Sequence, residues 1–333
     1  MKVAIIGFGS IGHERYNALL QLQQEGLNLE KVGIYDPYYT GNFENFRYNS
    51  LKEVEKDHPD WVIVATPHKT AVEMVKNVIP WECNILMEKP FGTTLWKANH
   101  ITSMLRFDNQ LHIGFNYRFF KGIQALYSDI IEDSVYSNVF GKNISSINIE
   151  LGHGGSPSDL ETWKSNPKEC GFGALLDPGV HALDLLRLFS YETPTPLYGL
   201  NWKGFWKTGI QEEVSIMLDD IGTIINLKIS LVKWKSTFKI EVNGKDGYGI
   251  VSGRGKSYGP QTYTRGKRWG WLDSGKSQKE TEEVVVTDDC SSSFHDELDA
   301  LFGNARKYSI PPCTAFDALN TMKFYDECLK VIR

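Results

Sequence analysis

The sequence predicts an α/β domain with a parallel sheet, followed by an α+β domain with an antiparallel sheet. Three observations carry this. Short β-branched runs alternate with helical patterns through the first third of the chain. Consecutive strands without intervening helices follow. The length of 333 residues suits two domains of about 100–200 residues each. Residues 3–7 form a β-rich run leading into a helical pattern over residues 11–25. Residues 31–36 are a second strand, stopped by Pro37, and residues 61–66 a third, ended by Pro67. Such continuous apolar runs suit parallel strands covered on both faces. A helix over 69–78, a strand over 84–87, a helix over 94–105 and a strand over 111–115 complete the series. After about Arg118 the texture changes. Residues 147–151, 197–206, 214–218, 221–231, 238–242 and 284–287 read as strands, and Asn243-Gly244 is a hairpin signal. Helices are expected over 178–189, 294–302 and from 315 onward. The Gly- and Ser-rich residues 252–277 read as a long loop or irregular hairpin.

Composition narrows the function classes. Hydrophobic residues at 41% and charged residues at 23% describe a soluble globular protein. A net charge of −5 disfavours nucleic acid and anionic membranes as partners. No apolar run reaches the roughly 18 residues of a membrane span, and the first residues enter strand material without a signal-peptide pattern. Cys83, Cys170, Cys290, Cys313 and Cys328 contain no CxxC spacing, so neither a disulfide framework nor a metal site is implied. A reducing cytoplasm is the default location. Nine tryptophans, six of them beyond residue 120, ask for an explanation.

Gly7-Phe8-Gly9-Ser10-Ile11-Gly12 fits GxGxxG between a strand and a helix. Gly7 permits the tight turn, Gly9 lets backbone approach a pyrophosphate, and Gly12 lets the helix pack close to the strand. A plain βα turn is the bland alternative. Asp36 ends the second strand 24 positions after Gly12, where an acid can accept hydrogen bonds from the adenosine ribose and repel a 2′-phosphate. The next residues, Pro37, Tyr38 and Tyr39, offer no cation to such a phosphate, so NAD is favoured over NADP.

Two elements carry candidate chemistry. Glu88-Lys89-Pro90 lies at the carboxyl end of a predicted parallel strand, where open α/β sheets bind ligands. A lysine there can hydrogen-bond a substrate hydroxyl, or can simply end a strand at the surface. Asp177-Pro178-Gly179-Val180-His181-Ala182-Leu183-Asp184 predicts a helix with Pro178 at its first position and Asp177 as N-cap. Asp177, His181 and Asp184 then share one face, and a histidine among carboxylates can exchange protons near neutral pH. A capping Asp177, a packed His181 and an exposed Asp184 fit the spacing equally well.

Together these motifs resemble the Gfo/Idh/MocA family, named for glucose-fructose oxidoreductase and inositol dehydrogenase. The resemblance also rests on Ala65-Thr66-Pro67 and on Gly114-Phe115-Asn116-Tyr117-Arg118-Phe119, and it spans the chain. It implies an N-terminal Rossmann domain over residues 1–120 and an α+β domain over residues 121–333 with a large, mostly antiparallel sheet. That sheet would build a homo-oligomer, a dimer or tetramer. Lys89, Asp177 and His181 match the family's catalytic positions, with Lys89 on the reacting oxygen, His181 as general base and Asp177 orienting the pair. Thr66, Pro67 and Glu88 would join Gly7, Phe8, Gly9, Ser10, Ile11, Gly12, Asp36 and Lys89 around the cofactor. Asn116 and Arg118 would lie near the substrate or the domain junction. Asp184 would be a further substrate candidate. No metal is required.

The resemblance implies a sugar, cyclitol or nucleotide-activated sugar as substrate. Trp163, just before the catalytic helix, is the tryptophan expected in the pocket. Phe172 replaces a glycine common in relatives, Lys164 replaces an arginine, and Ala71 follows where a histidine is frequent near His68. The basic stretch 253–270, with Arg254, Lys256, Arg265, Lys267 and Arg268, reads either as a solvated loop or as a phosphate-binding segment. A dinucleotide-binding regulator without turnover is the alternative from another class.

Overall fold

The computed structural model describes the chain apart from residues 42, 44, 45, 108, 137, 138, 142, 156–165, 168–170, 172 and 268–281, and apart from the side chains of residues 132–136. Six strands, β1 (Lys2–Ile6), β2 (Lys31–Tyr35), β3 (Phe46–Arg47), β4 (Trp61–Val64), β5 (Asn84–Glu88) and β6 (Leu111–Gly114), pair in parallel in the order β6-β5-β4-β1-β2-β3. Their continuous apolar runs are explained by cover on both faces. Ala4, Ile6, Val62, Val64, Ile85 and Met87 face one apolar layer, while Val3, Ile5, Ile34, Ile63 and Leu86 face another. The helices α1 (Ser10–Gln24), α2 (Leu51–Lys56), α3 (His68–Val78) and α4 (Leu95–Thr102) connect these strands. The two-residue β3 and the six-residue α2 are too short to show a hydrophobic period, and the sequence reading contains neither. Beyond a short 3₁₀ turn at Asn116–Phe119 lies α5 (Lys121–Tyr136), also outside that reading, with Ile123, Leu126 and Ile130 buried along it.

The second sheet has eight strands: β7 (Ile144–Gly154), β8 (Thr195–Trp202), β9 (Glu213–Asp220), β10 (Thr223–Ser230), β11 (Val232–Gly244), β12 (Gly247–Ser252), β13 (Gln261–Lys267) and β14 (Glu282–Asp288). Their order is β14-β13-β12-β11-β7-β10-β9-β8, and only β10 with β7 runs parallel. The strand expected from residue 221 begins at Thr223 instead, because Ile221 and Gly222 take positive φ values of 48° and 92° and form the turn. The strand expected over 197–206 ends at Trp202, where the Glu212 carboxylate accepts from the backbone amides of Phe205 and Trp206 at 2.6 Å each. In the β11–β12 hairpin the turn falls on Lys245-Asp246, leaving Asn243 and Gly244 in the strand. The expected loop at 252–277 contains β13, so its described part is an irregular hairpin with β12.

The inner face of this sheet packs on α5 and α6 (Gly179–Phe189), and its apolar side chains merge with one layer of the first sheet into a single core. Behind the other layer, α1 lies against α7 (Ser293–Asp299). Finally β15 (Cys313–Thr314) pairs antiparallel with β6, and α8 (Ala315–Val331) follows it. Residues of the second half thus complete the first sheet.

Candidate active site

The site is assembled at the carboxyl end of β5. Lys89 directly follows that strand and is joined to Pro90 by a cis bond. Its ammonium donates to Asp177 Oδ1 at 2.6 Å and to the Asp177 carbonyl at 3.1 Å. Asp177 therefore does not serve as N-cap: α6 starts at Gly179 with Pro178 as its cap, and the carboxylate is held by Lys89. The two side chains remain 21% and 30% exposed, so the pair is open to a ligand.

His181, in the first turn of α6, is buried. Its ring lies flat on Tyr117 at 3.8 Å and meets Phe115 edge-on at 5.5 Å. Its Nδ1 is buried with no hydrogen-bond partner among the described residues. Burial pushes the imidazole well below its usual 6.5, the charges of Lys89 and Arg254 add to this, and Asp177 opposes it. The ring is therefore neutral at neutral pH, in the form that can accept a proton.

The glycine loop borders this region. Gly7 has φ of +92°, and a Cβ there would meet the Ala65 carbonyl at 2.7 Å. A Cβ on Gly12 would come within 2.3 Å of the Gly7 carbonyl, so α1 packs as closely as the motif requires. No atom lies within 4 Å of a Cβ placed on Gly9, and no side chain caps α1. That leaves Ser10, Ile11 and the helix N-terminus facing open space, a fit for a pyrophosphate. Asp36 accepts from the amides of Phe8 at 2.7 Å and Tyr38 at 2.8 Å, with lone pairs left for a ribose hydroxyl. The hydroxyl of Thr66, beside Pro67, is buried without a partner among the described residues. Glu88 is fixed by Arg15, whose Nε donates to it at 2.6 Å while its Nη2 reaches Glu297 of α7 at the same distance. Burial pushes the Glu297 carboxyl up to about 7 against the pull of Arg15.

Other expected site residues go elsewhere. Arg118 forms a bidentate pair with Asp184 at 2.7 and 2.6 Å, and both side chains are 1% exposed. Arg118 also donates to the Pro311 carbonyl, so it stands at the junction of the two halves. Asp184 thus faces Arg118, not the Lys89–Asp177 pair. Asn116 donates to the Ser293 hydroxyl at 3.1 Å and is likewise buried. Trp163, Lys164 and Phe172 lie outside the described residues. Within the basic stretch, Lys256 is solvated, whereas Arg265 pairs with Asp129 at 2.7 Å and Glu283 at 3.1 Å.

The sequence reading names Tyr117 and Arg254 without foreseeing their contacts, and does not contain Arg47. Tyr117 lies inside a motif it quotes, yet nothing in that motif shows it stacking on His181. Arg254 comes from the β12–β13 connection to bond the Tyr117 hydroxyl. Arg47 on β3 donates to the Asp36 carbonyl at 3.2 Å and the Tyr39 carbonyl at 2.7 Å. It supplies beside Asp36 a cation that residues 37–39 lack.

A glycine-loop Rossmann sheet whose strand ends meet a lysine–aspartate pair and a neutral histidine defines a dinucleotide-dependent oxidoreductase fold. Residues 1–115 match the Gfo/Idh/MocA oxidoreductase family with its NAD-binding Rossmann fold, and residues 133–249 match the Gfo/Idh/MocA C-terminal domain. The chain belongs to the Gfo/Idh/MocA family. It is 25% identical over 202 residues to the rhizopine catabolism protein MocA of Rhizobium meliloti, an alignment spanning 58% of each chain. Among solved structures, the 3-ketoreductase KijD10 of Actinomadura kijaniata, in complex with NADP and TDP-benzene, superimposes with a TM-score of 0.75 at 17% identity, covering 100% of this chain and 98% of that one. A myo-inositol dehydrogenase of Corynebacterium glutamicum gives 0.72 at 18% identity over 100% and 96% of the two chains. The WlbA dehydrogenase of Bordetella pertussis, in complex with NADH and UDP-GlcNAcA, gives 0.74 at 13% identity over 99% and 95%. At such identities the structural likeness establishes the fold. Among the described residues no helix is long and apolar enough to cross a membrane.

Proposed function

We propose that the protein transfers a hydride between a nicotinamide cofactor and a secondary alcohol or ketone carbon of a sugar, cyclitol or nucleotide-activated sugar. The observation that carries this is the Lys89–Asp177 pair, held at 2.6 Å and open to a ligand, beside a buried neutral His181. The nicotinamide supplies the hydride acceptor or donor when bound. Lys89 donates a hydrogen bond to the reacting oxygen, and Asp177 keeps that ammonium aimed. His181 takes the hydroxyl proton during oxidation and returns it during reduction. Tyr117 holds the imidazole plane while this occurs. A cofactor-binding domain over residues 1–120 and a substrate and oligomerisation domain over 121–333 belong to the same reading.

NAD is the proposed cofactor, because Asp36 stands where it would repel a 2′-phosphate. Arg47 beside it weakens the discrimination, and NADP is the competitor. A homo-oligomer through the second sheet is also proposed: Tyr198, Leu200, Trp202, Met217 and Ile224 lie exposed on its outer face. Cytoplasmic location follows from cysteine usage alone.

The test is a panel of sugars, cyclitols and nucleotide sugars assayed by nicotinamide absorbance with NAD and with NADP. Turnover of a panel member with NAD preferred is the expected result. Tight NADH binding with no turnover across the panel would instead indicate a dinucleotide-binding regulator.

A further inference from the structure

Arg254 has no part in the reaction above, yet the fold brings it beside the proposed base. Its guanidinium carbon lies 4.1 Å from the ring centre of Tyr258 and 5.2 Å from that of Tyr117, and its Nη1 donates to the Tyr117 hydroxyl. Tyr117 in turn lies flat on His181. Four side chains thus stack in succession: Tyr258, Arg254, Tyr117 and His181. The stack crosses from the β12–β13 connection to the start of α6.

A guanidinium has five donors and keeps its proton, so a part-buried one needs acceptors and a counter-charge. Three other arginines of this chain obtain both, while among the described residues part-buried Arg187 takes only the Asp317 carbonyl and the Thr321 hydroxyl. Arg15 has Glu88 and Glu297, Arg118 has Asp184, and Arg265 has Asp129 and Glu283. Arg254 has a tyrosine hydroxyl and ring faces, and among the described residues no carboxylate lies within 4.0 Å of it. Ring faces attract a cation without neutralising it. The site therefore holds two cations near His181, of which Lys89 is paired and Arg254 is not.

We propose that Arg254 receives an anionic group of the substrate, a carboxylate or phosphate carried away from the reacting carbinol. This rests on the hydride-transfer reading of Lys89 and His181 and narrows its substrate to an acidic sugar or cyclitol derivative. The planar fork suits either oxyanion, which it can bind in bidentate fashion. Seating the anion also has an electrical effect. Arg254 is one of the charges that hold the imidazole low, so an anion over it offsets that field. His181 then becomes a stronger base as substrate binds.

The experiment titrates D-glucuronate, D-glucose 6-phosphate and neutral D-glucose into the protein saturated with NADH, reading dissociation constants by thermal shift. At least one anion should bind about 10- to 100-fold tighter than glucose, the range for a hydrogen-bonded charge. Arg254→Met should erase that ratio, and Arg254→Lys should retain part of it. Preference for the uronate, the phosphate or both identifies the source of the anion. Equal binding of all three sugars overturns the proposal. So does a ratio that survives Arg254→Met while only the melting temperature falls, since that assigns the arginine to structure alone. Because binding is read without turnover, anion preference in a protein inactive toward every alcohol would sink the hydride-transfer reading and leave the anion site standing.

Discussion

Lys89–Asp177 and Arg118–Asp184 are two cation–aspartate pairs tying segments that follow strands of the first sheet to the region of α6, and they are built for opposite purposes. Both cations follow strands of the first sheet, and both aspartates sit at or just before α6. Arg118–Asp184 is doubly hydrogen-bonded and sealed, with further bonds from Arg118 to Pro311 and from Thr321 to Asp184. In Lys89–Asp177 the ammonium donates once to the carboxylate and once to the carbonyl, the side chains are 21% and 30% exposed, and the neighbouring His181 Nδ1 has no hydrogen-bond partner among the described residues. One pair satisfies its donors and acceptors internally and locks two halves together. The other leaves capacity for a guest. Exposure separates them, and charge and spacing do not.

The largest expected effect breaks the open side of that comparison. His181→Ala should lower kcat about 10²- to 10⁴-fold in a folded protein, the usual worth of a positioned acid–base group. Steady-state kinetics at saturating substrate check it, and near-normal turnover would remove His181 from the chemistry. On the sealed side, Asp184→Ala should cost about 3–5 kcal/mol of stability by stranding a buried guanidinium. Urea denaturation measures it. A loss of activity with stability intact would put Asp184 in the site after all.

The smallest effect is in pH. Folding holds His181 below 6.5, so between its folded value and 6.5 the unfolded chain binds the extra proton. Stability from this group is thus complete above about 6.5 and declines as the pH falls, by no more than about 1.4 kcal/mol per pH unit. Glu297, raised from 4.5 to about 7, acts in the opposite sense: the folded protein holds its proton, and stability falls as pH rises through that window. Urea midpoints at about pH 5 and about pH 7 should show His181→Ala losing stability less steeply on acidification than the parent. An unchanged slope would mean that the imidazole is protonated where it is buried.

What was legible in the sequence was local. Gly7 to Gly12, Asp36, Glu88-Lys89-Pro90 and the Asp177–Asp184 run each place their groups within one strand end or one helix, so spacing alone brings them together. The parallel strands were legible for the same reason, as runs apolar on both faces. Tyr117 and Arg254 are 137 residues apart, and their contact depends on how β12, β13 and the Asn116–Phe119 turn meet in space. Arg47 sits on a two-residue strand with no pattern to read. Asp184 read as a substrate candidate on the same face as Asp177 because helical spacing reports which residues share a face. It does not report that an arginine 66 positions away has already claimed one of them.

The short β15 strand sets the order of events during synthesis. Cys313 and Thr314 bond the free edge of β6 at Ile113 and His112, so the nucleotide-binding sheet reaches its full width only after residues about 200 positions beyond β6 have been made. Until then the β6 edge offers unpaired amides and carbonyls to any passing strand. A fragment cut after residue 120 would carry that exposed edge permanently. It would also lack Glu297, the partner that helps Arg15 hold Glu88. The glycine loop is encoded at Gly7–Gly12, but the platform beneath it is finished by residues about 300 positions later.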